Sequence, residues 1–197
     1  MEYLQAFPGL DLCGQQTTSR PGDFRKSSAR NTALVGAAAR LAPETVEVSV
    51  YRDLAELPPF NLDLESDRAP EAVTRFRARL QACDAVLISS PEYAHGVPGV
   101  VKNALDWVVG SGELIDKPIA VINASGRATH AWTSLRDTLT VMSARVIVAA
   151  SITVPLDGRA LDATDIVGDA KLSAALRSAI DALVLAAPEA RPSSGRA

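Results

Sequence analysis

The feature that most constrains this chain is an alternation that begins near residue 28 and lasts to about 185, in which helical patterns take turns with short β-rich runs. The two clearest runs are Asp84-Ala85-Val86-Leu87-Ile88-Ser89 and Pro118-Ile119-Ala120-Val121-Ile122. Both are continuously apolar at their centres, as strands buried on two faces must be. Strands of that kind, separated by helices, predict a parallel sheet covered on both sides. One domain of this type takes roughly 100–200 residues, and the 197 residues here fit one.

Ser28 reads as the N-cap of a helix over 28–41, with Leu34, Ala37, Ala38 and Leu41 at helical spacing and Pro43 as its stop. Residues 46–51 alternate like a strand. A helix opening near Pro70 carries Val73, Phe76 and Leu80 on one face. Further helices are expected over 99–109, 132–142 and 170–185, with a strand at 146–148 between the last two. The central first strand of such a sheet has one candidate, Leu10-Asp11-Leu12-Cys13, which places an aspartate among apolar positions. The chain therefore divides into an atypical N-terminal segment, 1–24, with a weak first strand, a folded domain, 25–186, and a loose tail, 187–197. Pro188, Pro192, Ser193, Ser194 and Gly195 give that tail too little apolar surface to offset the entropy of ordering it.

Composition narrows the partners. A formal net charge of −3 supplies no basic field for nucleic acid. Two cysteines, Cys13 and Cys83, build neither a disulfide framework nor a Cys-rich metal site, and two histidines without paired Cys or carboxylate spacing add no metal site. The N-terminus lacks a basic region followed by an apolar stretch, and no apolar run reaches membrane-spanning length, so a cytoplasmic protein with no membrane partner is expected. Neither a Gly-x-Ser-x-Gly elbow nor the phosphate loop of nucleotide hydrolases is present.

Ligands of open parallel sheets bind beyond the carboxyl ends of the strands, where the connections switch sides. Three loops map to that edge. The first, 22–31, opens a helix whose unpaired N–H groups and dipole favour an anion, with Arg25 and Lys26 adding charge and Ser27, Ser28 and Asn31 adding short polar groups. The same residues also suit a plain cap beside solvated cations. The second loop, 89–99, is shaped by Pro91, Pro98, Gly96 and Gly99, which leaves main-chain groups free to face a flat heterocycle. A structural strand-to-helix turn with Tyr93 as a packing residue reads the same way. The third, Asn123-Ala124-Ser125-Gly126-Arg127-Ala128-Thr129-His130, has small side chains that permit close approach. Asp106 and Trp107 suit locking of the third helix better than chemistry. Val97, Val100, Val101, Leu105 and Trp107 give that helix more apolar surface than one packed face requires, which predicts a subunit contact.

The run from Pro91 to Trp107, Pro-Glu-Tyr-Ala-His-Gly-Val-Pro-Gly-Val-Val-Lys-Asn-Ala-Leu-Asp-Trp, resembles the signature of the NADPH-dependent FMN reductase family, and the likeness extends over about 25–154. The resemblance implies a flavodoxin-like three-layer α/β sandwich with a five-stranded parallel sheet in the order 2-1-3-4-5. It also implies FMN as cofactor, NADPH or NADH as donor, a small-molecule electron acceptor such as a flavin, quinone or azo dye, and a homodimer or homotetramer. By that likeness Arg25, Ser27, Ser28 and Asn31 hold the FMN phosphate. Pro91, Glu92, Tyr93, Ala94, His95 and Gly96 border the flavin ring, largely through main-chain groups, and Asn123, Ser125 and Arg127 close the other side. The family commonly reads Gly-Ser-Leu-Arg-x-x-Ser-x-Asn in the first loop, where this chain carries Asp23 in place of the serine. No catalytic side chain is implied, because the flavin carries the chemistry. The alternative is a non-catalytic flavodoxin-like binding module that has lost tight FMN binding.

Overall fold

Both continuously apolar runs are strands, and they lie side by side. A computed structural model describes residues 2–8, 24–65, 68–156 and 158–187, with side chains from residue 30 onward. In chain order the sheet is made of β1 (Glu2–Pro8), β2 (Val46–Val50), β3 (Ala85–Ser89), β4 (Pro118–Ile122) and β5 (Arg145–Val146). The helices are α1 (Phe24–Leu41), α2 (Glu71–Ala82), α3 (Gly99–Val109), α4 (Thr129–Val141), α5 (Ala163–Gly168) and α6 (Ala170–Ala186). The strands are all parallel and run across the sheet as β2-β1-β3-β4-β5.

The stretch 10–13, where the sequence offered a central strand, lies outside the described residues. Glu2–Pro8 takes the position between β2 and β3, with Leu4 opposite Val48 on one side and Ala85 on the other. Residues 2–8 therefore share a sheet with the 25–186 unit. Helix α1 also starts earlier than its sequence suggested, at Phe24, so Ser28 sits inside the helix and is not its cap.

Alternation along the central strands fills two cores. Ala85 and Leu87 of β3, with Ala120 and Ile122 of β4, pack against α1, α5 and α6. Val86, Ile88, Ile119 and Val121 point the other way, onto α2, α3 and α4. Burial of each Leu or Ile side chain contributes about 1.5–3 kcal/mol, so this two-faced packing dominates stability. The short helix α5 was absent from the sequence reading. Asp162 caps it by accepting from Thr164 N and Asp165 N, and Asp165 returns the bond to Asp162 N. The Asp165 N–H bond is the main cause that holds the Asp162 carboxyl below its usual range.

The β5 edge is split. Val146 pairs with Ile119 and Ile147 N donates to Ile119 O, but the chain then turns, leaving Val148 71% exposed where a continuing strand was expected. Pairing resumes beside Asn123, whose N–H donates to Ile152 O and whose C=O accepts from Val154 N. Val121, caught in the gap, is satisfied by side chains. Its N–H donates to Ser151 Oγ at 3.1 Å, and its C=O accepts from Trp132 Nε1 at 3.0 Å. At the opposite end of β4, Lys117 Nζ donates to Leu80 O and Cys83 O and so closes the C-terminus of α2.

Candidate functional site

The loop that leaves β3 is a strained hairpin. Tyr93 and Gly96 exchange both main-chain hydrogen bonds, at 3.1 and 2.9 Å, and the two residues between them, Ala94 and His95, have φ of 49° and 60°. Positive φ at both central positions marks a type I′ turn, which favours Asn-Gly. Neither Ala nor His reaches that region without cost, about 1 kcal/mol or more for each. Surrounding contacts must therefore hold the turn. Pro91 is buried, and the Glu92 side chain is only 11% exposed. Its Oε2 accepts from Ala131 N at 2.8 Å and its Oε1 lies 3.3 Å from His95 Nδ1. His95 in turn meets His130 edge to face, with ring centroids 4.5 Å apart.

The loop that leaves β4 is held from within. Asn123, 4% exposed, accepts from Ser125 N at 3.1 Å and donates through Nδ2 to Ala128 O at 2.9 Å. Ser125 Oγ accepts from Arg127 N at 3.2 Å. Gly126 and Arg127 remain exposed at the tip, and Ser125 is half-buried. The amide of Asn123 is thus an internal brace of this loop, a role that its position in the sequence did not reveal.

The third component is the start of α1, which follows the carboxyl end of β1. Arg25, Ser27 and Ser28 lie in its first turns, while Gly22 and Asp23 lie outside the described residues. Asn31, one turn further on and 1% exposed, is a link to the sheet: Ser89 Oγ, at the end of β3, donates to its Oδ1 at 2.8 Å. The fold accordingly brings all three sequence-predicted loops to one edge. It joins the second and third directly through Glu92 and the histidine pair.

The rest of the Pro91 to Trp107 run has a structural purpose. Asn103 accepts from Phe60 N and donates to Pro58 O, and Trp107 Nε1 donates to the same carbonyl at 2.7 Å, which pins residues 57–60 onto α3. Lys102 pairs with Asp106 one turn along the helix. Val101, Leu105 and Trp107 are buried inside the chain, and Val97 and Val100 are half-buried, so the apolar surplus assigned to a subunit contact is absorbed internally. What α3 leaves outward is Val109, which with Val141 of α4 flanks a groove of about 650 Å³. Among the described residues, no group of three or more His, Cys, Asp and Glu side chains is placed to hold a metal ion, and no helix is long and apolar enough to cross a membrane.

The residues present suit a flavin mononucleotide: N–H groups at a helix start for the phosphate, and main-chain-rich loops with small side chains for the ring. The comparisons point the same way. Residues 22–158 match the family described as NADPH-dependent FMN reductase. Over 111 residues the chain is 40% identical to a probable NADPH:quinone oxidoreductase 2 of Oryza sativa subsp. japonica, a stretch that covers 53% of each protein. Over 165 residues it is 31% identical to an NAD(P)H-dependent FMN reductase of Pseudomonas aeruginosa, covering 81% of this chain and 89% of that one. Alignment thus reaches about half the length of the rice relative and most of the bacterial one. Among solved structures, the flavoenzyme NAD(P)H:(acceptor) oxidoreductase of Paracoccus denitrificans superposes with a TM-score of 0.65 at 23% identity, over 95% of this chain and 100% of that one. The fold is flavodoxin-like α/β.

Proposed function

The chain belongs to the NADPH-dependent FMN reductase family, and we propose that it is an oxidoreductase that binds FMN at the carboxyl edge of its sheet and passes electrons from NADPH or NADH to a small flat acceptor. The observation that carries this reading is the convergence of three loops on one edge, two of them tied together by Glu92. Support comes from the sheet order 2-1-3-4-5, in which α1 follows β1 at the point where the connections switch sides, the usual position for a ligand in such sheets. FMN held there would supply the redox chemistry, accepting hydride from the nicotinamide and delivering electrons to the acceptor.

The chain's own groups bind, orient and exclude. Arg25, Ser27, Ser28 and the N–H groups at the start of α1 hold the phosphate, with Asn31 fixing that helix to β3. Main-chain groups of Pro91, Tyr93, Ala94, His95 and Gly96 border one side of the ring, and Ser125 with the loop braced by Asn123 borders the other. Arg127, exposed at the tip, supplies positive charge for the donor's phosphates. No side chain is required to act as acid or base.

The protein names of the relatives make quinones and free flavin the first acceptors to test. The folded unit is one flavin-binding domain to residue 186, acting in the cytoplasm. A homodimer or homotetramer would cover the groove between α3 and α4, whose flanks Val109 and Val141 are 56% and 84% exposed. The non-catalytic alternative is not favoured, because the family matched and the relatives are described as reductases and oxidoreductases.

The test is NADPH and NADH oxidation by FMN-loaded protein with a quinone, free FMN and an azo dye. Acceptor-dependent oxidation well above the protein-free rate is expected for at least one of these. Oxidation no faster than in protein-free controls, with every acceptor and both donors, would contradict the reading.

A further inference from the structure

Glu92 falls within the flavin-facing loop, yet its carboxylate does not belong to the loop's outer surface. It is mostly buried, and its two oxygens serve two different elements. Oε2 accepts the Ala131 N–H in the first turn of α4, a helix whose own N-cap residue, Ala128, makes no side-chain cap bond. A negative group at that place also complements the helix dipole. Oε1 holds His95, the second of the two residues forced into the left-handed region. One side chain therefore fastens a turn that Ala94 and His95 would not adopt on their own to a helix 39 residues further along the chain.

We propose that Glu92 is a positioning residue for the flavin ring: it fixes the 93–96 turn against the start of α4, and through that turn the main-chain groups that border the ring, without touching the flavin itself. The inference rests on the FMN reading above and adds to it a residue that acts at a distance. Because the constraint operates on the ring side, its loss should be felt equally by FMN and by riboflavin, which lacks the phosphate.

The experiment measures dissociation constants of both flavins, by quenching of flavin fluorescence, for the unaltered protein, Glu92→Ala and Glu92→Gln. Amide hydrogen exchange of the flavin-free proteins is followed in parallel. Lys117→Ala serves as a destabilised control, since Lys117 closes α2 at the opposite end of β4. Glu92→Ala should weaken both flavins by about tenfold, the equivalent of one lost cap or charge-assisted bond. It should also speed exchange at 93–96 and in the first turn of α4. Glu92→Gln should recover most of the affinity and protection, because its amide keeps an acceptor for Ala131 N–H and can donate to His95 Nδ1 in the tautomer that carries its proton on Nε2. Lys117→Ala should lower the melting temperature and leave both flavin affinities unchanged. Glu92→Ala that melts earlier but binds both flavins normally would overturn the proposal and leave Glu92 a helix cap only. A loss confined to FMN, or a Gln variant as weak as the Ala variant, would overturn it as well. Unaltered protein that binds neither flavin would overturn the FMN reading itself, and this inference with it.

Discussion

In the loop after β4, Asn123 bonds both Ser125 N and Ala128 O of its own turn, whereas in the loop after β3, Glu92 reaches out of its turn to the start of α4. The two loops leave the same carboxyl edge of the sheet but are stiffened by different means. The Asn123 side-chain brace is local, bonding groups of its own turn. The Glu92 brace is tertiary and works against a strained backbone, so that turn depends on elements far away in sequence. A local brace should fail as a loss of stability. A tertiary brace should fail as a loss of position.

The largest effect that tests this contrast is expected from Asn123→Ala. It leaves the half-buried Ser125 N–H and Ala128 carbonyl without the Asn123 amide as partner, a change worth about 2 kcal/mol. For a chain of this size that corresponds to a drop in melting temperature of about 4–8 °C. Calorimetric melting checks it. A shift smaller than a degree would show that the loop is held by its β-type pairing with Ile152 and Val154 and not by the amide.

The smallest effect concerns the turn after β3. Ala94→Asn places at φ 49° a residue that tolerates the left-handed region, so stability should rise by about 0.5 kcal/mol. Flavin affinity should stay the same or tighten slightly, because the turn keeps its shape. A destabilised Ala94→Asn protein would mean that the turn is not strained in the way its angles indicate.

The same contrast explains what the sequence could and could not reveal. The centre of the sheet was legible because β3 and β4 must be apolar on both faces, and α2, α3 and α6 carried clear apolar stripes. Asp106 and Trp107 were legible as helix-locking residues, and Trp107 does lock α3, through Pro58. Glu2–Pro8 was missed because it contains Glu2, Gln5 and Pro8, and its place as a strand comes from pairing with β2 and β3. Tertiary pairing overrode a poor local pattern. The split β5 edge was missed for a related reason. Val146, Ile147 and Val148 look like one strand, but the ladder is interrupted and completed by Ser151 and Trp132. Helix α5 had a signal that was not used, an aspartate at 162 followed three residues later by Asp165 and then Ile166. The three loops at the carboxyl edge were legible chiefly through the resemblance. That Glu92 caps α4 had no signature in the sequence, since the bond joins residues 92 and 131 only after folding.

The measurement that bears most directly on the central claim, an FMN site built from the start of α1 and two braced loops, is a calorimetric titration of FMN and riboflavin into the unaltered protein and Arg25→Ala. The account predicts about one FMN per chain, as expected for one switch-point site in one sheet. It also predicts that Arg25→Ala weakens FMN by about 10- to 150-fold, the worth of a hydrogen bond to a charged group, while riboflavin is hardly affected. No FMN binding at high concentration would contradict the account, and equal losses for FMN and riboflavin would show that Arg25 does not hold the phosphate.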